Sequence, residues 1–189
     1  MLLIGCLIIV GLVVSFPSFE RSYALANFQL VDQNWNSASP SSFQGQWLLV
    51  FFGFSHCPHV CPSELSRLAG TLRELDKAAG TETITPIFIT VDPVRDTPEV
   101  LKLYLANFDE RFIGLTGSDM EIANATAAFN AYRKARAPAT DREDYLVDHS
   151  SVSYIVNPTG VVVGHLPYGQ SAADRANKIR RLVRASESR

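Results

Sequence analysis

The sequence predicts an α/β fold: a largely parallel sheet with helices on both faces and an antiparallel hairpin closing one edge. Three observations carry that expectation. Trp47 to Phe54 is an unbroken apolar run, the mark of a strand buried on both faces. Leu65, Leu68, Leu72 and Leu75 then recur at three- and four-residue spacing, the period of an amphipathic helix. Beyond them β-rich and helical periods alternate to the end of the chain, in the order β-α-β-α-β-α-β-β-α counted from Trp47.

Before that unit lies a different kind of segment. Residues 1–16, MLLIGCLIIVGLVVSF, carry no charge. As a helix they reach roughly 24 Å, a little short of the bilayer core. The positive n-region of a signal peptide is missing and no clear Ala-x-Ala site follows, so an uncleaved transmembrane anchor, or else an uncleaved signal-like segment, is expected. Cys6 precedes the apolar run that a lipoprotein box would follow, and it reads as a small apolar residue of the anchor. Residues 17–26 then read as a linker, and 27–186 as the globular domain. Asn27 to Gln46 is polar and turn-rich, and reads as an N-terminal hairpin pinned by Phe28, Leu30 and Trp35.

Within the domain each element has its own signal. Pro62 suits the first turn of the first long helix, and Gly80 a position past its end. Thr83 to Val91 is a second strand. Asp96-Thr97-Pro98-Glu99 opens a helix whose inner face carries Val100, Leu101, Tyr104, Leu105 and Phe108, with Asp96 as N-cap and Asp92 as a strand-end turn residue. Phe112 to Leu115 is a short strand, and Glu121 to Arg133 a helix with Ile122, Ala125, Phe129 and Tyr132 inward. Lys134 to Asp148 reads as a charged loop. Ser151 to Val156 and Val161 to Leu166 form a hairpin over Asn157-Pro158-Thr159-Gly160, the pattern of a type I turn. Ser171 to Asp174 starts the last helix, with Ile179, Leu182 and Val183 on its apolar side.

The chain has 189 residues, a net charge of −2 and no basic run, so nucleic acid is not an expected partner. The chemistry concentrates in Phe51 to Glu64, FFGFSHCPHVCPSE, which holds two of the three cysteines. A loop after the first buried strand that opens the first long helix is a thioredoxin-type arrangement. Functional loops collect at the carboxyl ends of such strands, and a helix N-terminus stabilises a thiolate. A dithiol placed there binds a soft metal ion, exchanges disulfides, or does both.

Three residues separate Cys57 from Cys61, where a thioredoxin-type oxidoreductase usually has two. The wider spacing permits a disulfide and leaves both sulfurs free to converge on a third object, Cu(I) or Zn(II). Two sulfurs under-coordinate a metal, so a third ligand is required from His56, His59, His149 and His165. His149 ends the long loop and precedes the hairpin, and in this topology that loop passes beside the dithiol. It is the favoured ligand, with Asp148 or a backbone carbonyl fixing its tautomer. His59 is its rival, His56 reads as a loop hydrogen-bonder and His165 as a solvent-facing strand residue.

The runs FGFSHCPHVCPSEL, VDPVRDTPEVLKLYL, FIGLTG, DYLVDHS and GHLPYGQS together resemble the Sco/SenC family, over nearly the whole domain from Phe28 to Val183. That resemblance implies a thioredoxin-like, membrane-tethered copper protein that helps to assemble the dinuclear copper centre of cytochrome c oxidase. It places the family's copper ligands on Cys57, Cys61 and His149, and the Asp-Pro-x-Arg-Asp stretch on Asp92, Pro93, Arg95 and Asp96. Three positions depart from the usual pattern: His59 stands where an acidic residue is common, Trp35 where a glycine turn is usual, and the loop from Arg133 to Asp144 is not distinctive.

The implied role is a metallochaperone rather than an enzyme. It binds Cu(I), with Cu(II) also accommodated, and passes it to an oxidase subunit or another copper protein, from the outer (periplasmic or equivalent) face of the inner membrane. A thiol-disulfide oxidoreductase that keeps the acceptor's cysteines reduced through Cys57 and Cys61 is the alternative. A peroxiredoxin-like peroxidase fits less well, because these cysteines are paired and proline-flanked.

Overall fold

The structure is a computed structural model and describes residues 23–24, 28–77, 83–135 and 145–187. The expected anchor at 1–16, most of the linker and Gly80 lie outside those residues. Among the described residues no helix is long and apolar enough to cross a membrane.

Ten strands are numbered here in chain order. The first three are short: β1 (Tyr23–Ala24), β2 (Leu30–Asp32) and β3 (Ser37–Ala38). They are followed by β4 (Trp47–Gly53), β5 (Ile84–Thr90) and β6 (Ile113–Thr116). Next comes the pair β7 (Arg133–Ala135) and β8 (Val147–His149), then β9 (Ser153–Val156) and β10 (Val161–Leu166). Eight of them form one sheet in the order β1-β10-β9-β4-β5-β6-β2-β3, while β7 and β8 pair separately.

β4 sits near the middle of the sheet, with all seven residues buried. It runs parallel to β5, with Phe51 opposite Phe88, and antiparallel to β9, with Phe51 opposite Ser153. Burial on both faces is what its continuous apolar run demands. The β9–β10 hairpin turns as the sequence predicts: the Gly160 N–H donates to the Asn157 carbonyl at 2.9 Å, and Gly160 takes a φ of 78°.

The helices are α1 (Val60–Asp76), α2 (Pro98–Leu105), α3 (Asp119–Ala128) and α4 (Ala172–Glu187). Leu65, Leu68, Leu72 and Leu75 of α1 are all buried, as their spacing requires. α2 packs on β6 and α1 on α4.

Four details differ from expectation. α3 stops at Ala128 rather than reaching Arg133, because Asn130 turns left-handed at φ 51° and the Ala131 N–H closes back on the Thr126 carbonyl. Tyr132, expected inward, is 55% exposed. Part of the expected charged loop is instead the β7–β8 ribbon, with Arg133 opposite His149. Two three-residue strands carry too little alternation to be read from sequence. Lastly, the N-cap of α2 is Thr97, whose side chain accepts the Val100 N–H, and not Asp96. The Asp96 side chain turns inward and is fully buried.

Trp35 occupies the β2–β3 turn at φ 66°, held by its indole N–H donating to Glu99 at 2.7 Å. The Asp32 carboxylate takes the N–H groups of Asn34 and Asn36, which substitutes side-chain bonding for a glycine's freedom.

A buried ion pair ties α1 to α4. Glu64 and Arg175 are both fully buried and joined by two bonds, at 2.6 and 2.9 Å. Ser153 on β9 donates to the same Glu64 oxygen at 3.0 Å, and Arg175 also donates to the Pro167 carbonyl at 3.1 Å. Arg175→Met leaves Glu64 buried without a counter-charge, and should cost about 3–5 kcal/mol of stability. Urea unfolding followed by far-ultraviolet circular dichroism checks this; a loss below about 1 kcal/mol would put the pair in the class of exposed ion pairs.

Candidate metal centre

The site begins where β4 ends. A Cβ on Gly53 would stand 2.8 Å from the Phe88 ring and 3.0 Å from the Cys61 sulfur, so only glycine lets the strand pass that close. The chain then turns through Phe54 and Ser55, and the Cys57 N–H donates to the Phe54 carbonyl at 3.2 Å. Cys61 lies in the first turn of α1 and is fully buried, while Cys57 is partly exposed. The Cys61 backbone N–H donates to the Cys57 sulfur at 3.4 Å, which sets that sulfur at the positive end of α1.

His149 arrives from the other side, as the last residue of β8. Its ring meets Phe51 and Phe54 edge-on, at centroid distances of 6.2 and 5.9 Å. Its Nδ1 lies 3.0 Å from the Ser150 carbonyl oxygen. A carbonyl can only accept, so in the neutral ring Nδ1 carries the proton and Nε2 bears the lone pair. That Nε2 stands 3.6 Å from the Cys61 sulfur. Of the two partners expected to orient this ring, the backbone carbonyl takes Nδ1.

The two sulfurs are unlike. The Cys61 thiol, donating to Cys57, holds the Cys57 pKa down to about 3, against the cost of burial and with further help from the neighbouring backbone N–H groups. The Cys61 pKa is pushed far up, because it is the donor in that bond and is itself buried. Of the two, the buried Cys61 is the harder to ionise and the partly exposed Cys57 the easier. Cys57 opens onto a groove of about 240 Å³ lined by Phe54, Pro58, Val60, Leu146 and His149.

Of the remaining candidates, His59 lines the same groove as the exposed N-cap of α1 and makes no side-chain cap bond. His56 is exposed and bonds through Nδ1 to the Ser55 hydroxyl at 2.9 Å. His165 is exposed on β10 with its ring against Tyr154. Asp92 and Asp96 are both buried and engaged, Asp92 with Arg95 and Tyr145, Asp96 with Ser55 and Thr90. Among the described residues no three His, Cys, Asp or Glu side chains are already gathered into an ion-holding group. Phe51 and Phe54 form the imidazole's wall and were not singled out in the sequence, where they look like ordinary core.

Three comparisons with known proteins bear on this arrangement. The family model described as SCO1/SenC matches residues 18–184. The human mitochondrial protein SCO2 homolog is 38% identical over 169 residues, covering 89% of this chain and 63% of its own length. The chain thus spans less than two thirds of that relative. The crystal structure of Arabidopsis thaliana ScoI with copper bound aligns at a TM-score of 0.79 and 31% identity, covering 85% of this chain and 98% of the other. Yeast Sco1 with copper bound aligns at 0.78 and 34% identity, covering 88% and 90%. The mixed α/β architecture is thus that of thioredoxin-like Sco structures.

The asymmetry of the thiols sets a pH signature for the reduced protein. An ordinary thiol loses roughly 75-fold of its thiolate between pH 8 and pH 6. Cys57, its pKa lowered far beneath that range, stays ionised throughout. Its alkylation by iodoacetamide should change little over the interval, and mass mapping should find the label on Cys57 before Cys61. A rate falling tenfold per pH unit would mean that Cys57 keeps the proton.

Proposed function

The chain belongs to the SCO1/SenC family, and from that membership and the geometry of its site we propose that it is a copper chaperone, delivering copper to the dinuclear copper centre of cytochrome c oxidase. The observation that carries this reading is the 3.6 Å separation of the His149 Nε2 and the Cys61 sulfur. Ligand bonds of about 2.0 Å to nitrogen and 2.3 Å to sulfur, meeting at a trigonal angle, put the two atoms roughly 3.7 Å apart. The lone pair already faces the space that an ion would fill. Copper bound to the Arabidopsis and yeast relatives supports copper as the cargo.

In this reading Cys57, Cys61 and His149 hold Cu(I) in three-coordinate geometry, and the nitrogen also accommodates Cu(II). Cys61, buried against Gly53, is the fixed ligand. Cys57, facing the groove, is the exchangeable one. An incoming thiolate of the acceptor bonds to copper from the groove while the copper–Cys57 bond breaks, so the ion is never free in solution. Residues 1–16 tether the domain to the membrane, with the domain on the outer (periplasmic or equivalent) face of the inner membrane.

A second reading is favoured by the unequal thiols. A groove-facing thiolate beside a buried protonated partner is the arrangement of an attacking and a resolving cysteine. Cys57 would attack an acceptor disulfide and displace one thiolate. Cys61, deprotonated, would then attack Cys57 to release the second, leaving Cys57–Cys61 oxidised and the acceptor reduced by two electrons.

One variant separates the two. His149→Ala should lower Cu(I) affinity by at least about tenfold in competition with a chromophoric chelator, while reduction of a model disulfide by the dithiol persists. Cys57→Ser should lose both. Full copper affinity in His149→Ala would remove the imidazole from the ligand set.

A further inference from the structure

The two limbs of the site are far apart in the chain, Cys61 and His149 lying 88 positions apart, and sulfur and imidazole are useful only if both arrive in register. A single turn touches both limbs. It runs from Asp92 to Thr97 after β5 and is closed on itself, with the Asp96 N–H donating to the Asp92 carbonyl at 3.0 Å and the Arg95 N–H to the same oxygen at 3.2 Å.

One arm of the turn reaches the cysteine loop. The fully buried Asp96 carboxylate accepts the Ser55 N–H at 3.1 Å and the Ser55 hydroxyl, and also the Thr90 hydroxyl at 2.6 Å. Ser55 is two residues before Cys57. The second arm reaches the histidine. Asp92, 2% exposed, accepts the Tyr145 hydroxyl and pairs with the Arg95 Nε. Arg95 in turn donates to the Tyr145 carbonyl at 2.9 Å and lies 3.7 Å over its ring. Tyr145 is four residues before His149. Arg95 also sits 5.7 Å from the Phe54 ring, which is the ring packed against His149.

We propose that the turn at 92–97 is a two-armed brace, in which Asp96 positions the cysteine loop through Ser55 while Asp92 and Arg95 position the His149 strand through Tyr145. These are positioning residues, with no contact to the cargo. Their carboxylates are committed to donors from elsewhere in the fold, which is why buried acids stand so near a metal-binding loop without joining it. Because both arms spring from one closed turn, a shift of either limb strains the other, and the distance between Cys61 and the imidazole is held by the brace rather than by the ion. The proposal rests on the three-ligand reading above for its consequence, but not for its geometry.

The arms predict separable defects in the full chain. Tyr145→Phe removes one hydroxyl and keeps the ring under Arg95, so folding is preserved. It should let the His149 imidazole populate both neutral tautomers in nitrogen-15 NMR of the metal-free protein. It should also lower Cu(I) affinity about tenfold, the scale of losing an outer-shell partner, with Cys57 alkylation unchanged. Asp96→Asn presents an amide where three donors converge. It should speed hydrogen exchange of the Ser55 amide about tenfold, the scale of a lost charge-assisted hydrogen bond, with the imidazole tautomer unchanged. Asp96→Glu, which keeps the acceptor, should recover part of that protection. Variants that only lower the melting temperature, or that disturb both readouts alike, overturn the brace. A parent protein with one fixed tautomer that binds no copper overturns the chaperone reading and leaves the brace intact.

Discussion

Everything at the site follows from how deeply β4 is buried at its carboxyl end. A strand covered on both faces delivers its terminal loop into a dry environment, and Gly53 lets the Cys61 sulfur press close against the strand. The bond between the two thiols and the dryness of Cys61 both oppose its ionisation, so negative charge is favoured on Cys57, where helix N–H groups and solvent receive it. The chemical difference between two identical residues four positions apart thus comes from packing, before any metal is considered.

The same packing decides what the histidine can do. Phe51 and Phe54 leave its ring little freedom, and the Ser150 carbonyl claims the Nδ1 proton. What is left is one lone pair with one direction, toward Cys61. Orientation by a backbone carbonyl is more durable than orientation by Asp148 would be, since a carbonyl neither titrates nor rotates away. The alternating elements around β4 therefore matter to the chemistry chiefly as a mould that fixes a tautomer and a proton.

Much of this was legible in the sequence, and the division is physical. Features set by local pattern could be read directly: the buried run of β4, the heptad-like leucines of α1, the Asn-Pro-Thr-Gly turn and the position of His149 just ahead of the hairpin. Features set by distant partners could not. Asp96 precedes a Thr-Pro-Glu helix start and reads as its cap, but burial against Ser55 and Thr90 recruits it elsewhere, and Thr97 takes the role. The β7–β8 ribbon has three residues a side, too few for a period to show, and exists because the chain must return to the cysteines. Tyr132 was misplaced for a related reason: a left-handed Asn130 ends the helix one turn before its apolar spacing does. The anchor at 1–16 lies outside the described residues and stays a reading of composition.

Copper transfer and disulfide reduction are usually set against each other as alternative occupations for a dithiol. In this chain they draw on one asymmetry. A chaperone needs a ligand that stays and a ligand that leaves; a reductant needs a thiol that resolves and a thiol that attacks. Cys61 is the resident in both cases because it is buried, and Cys57 the mobile partner in both because it is charged and faces the groove. His149 is the component that breaks the symmetry between the two functions. Its lone pair adds a third donor for a soft ion, while nucleophilic attack by Cys57 has no use for it beyond electrostatics. Under the proposed copper reading, the imidazole's placement, rather than the cysteine spacing, is what separates a metal site from a redox pair.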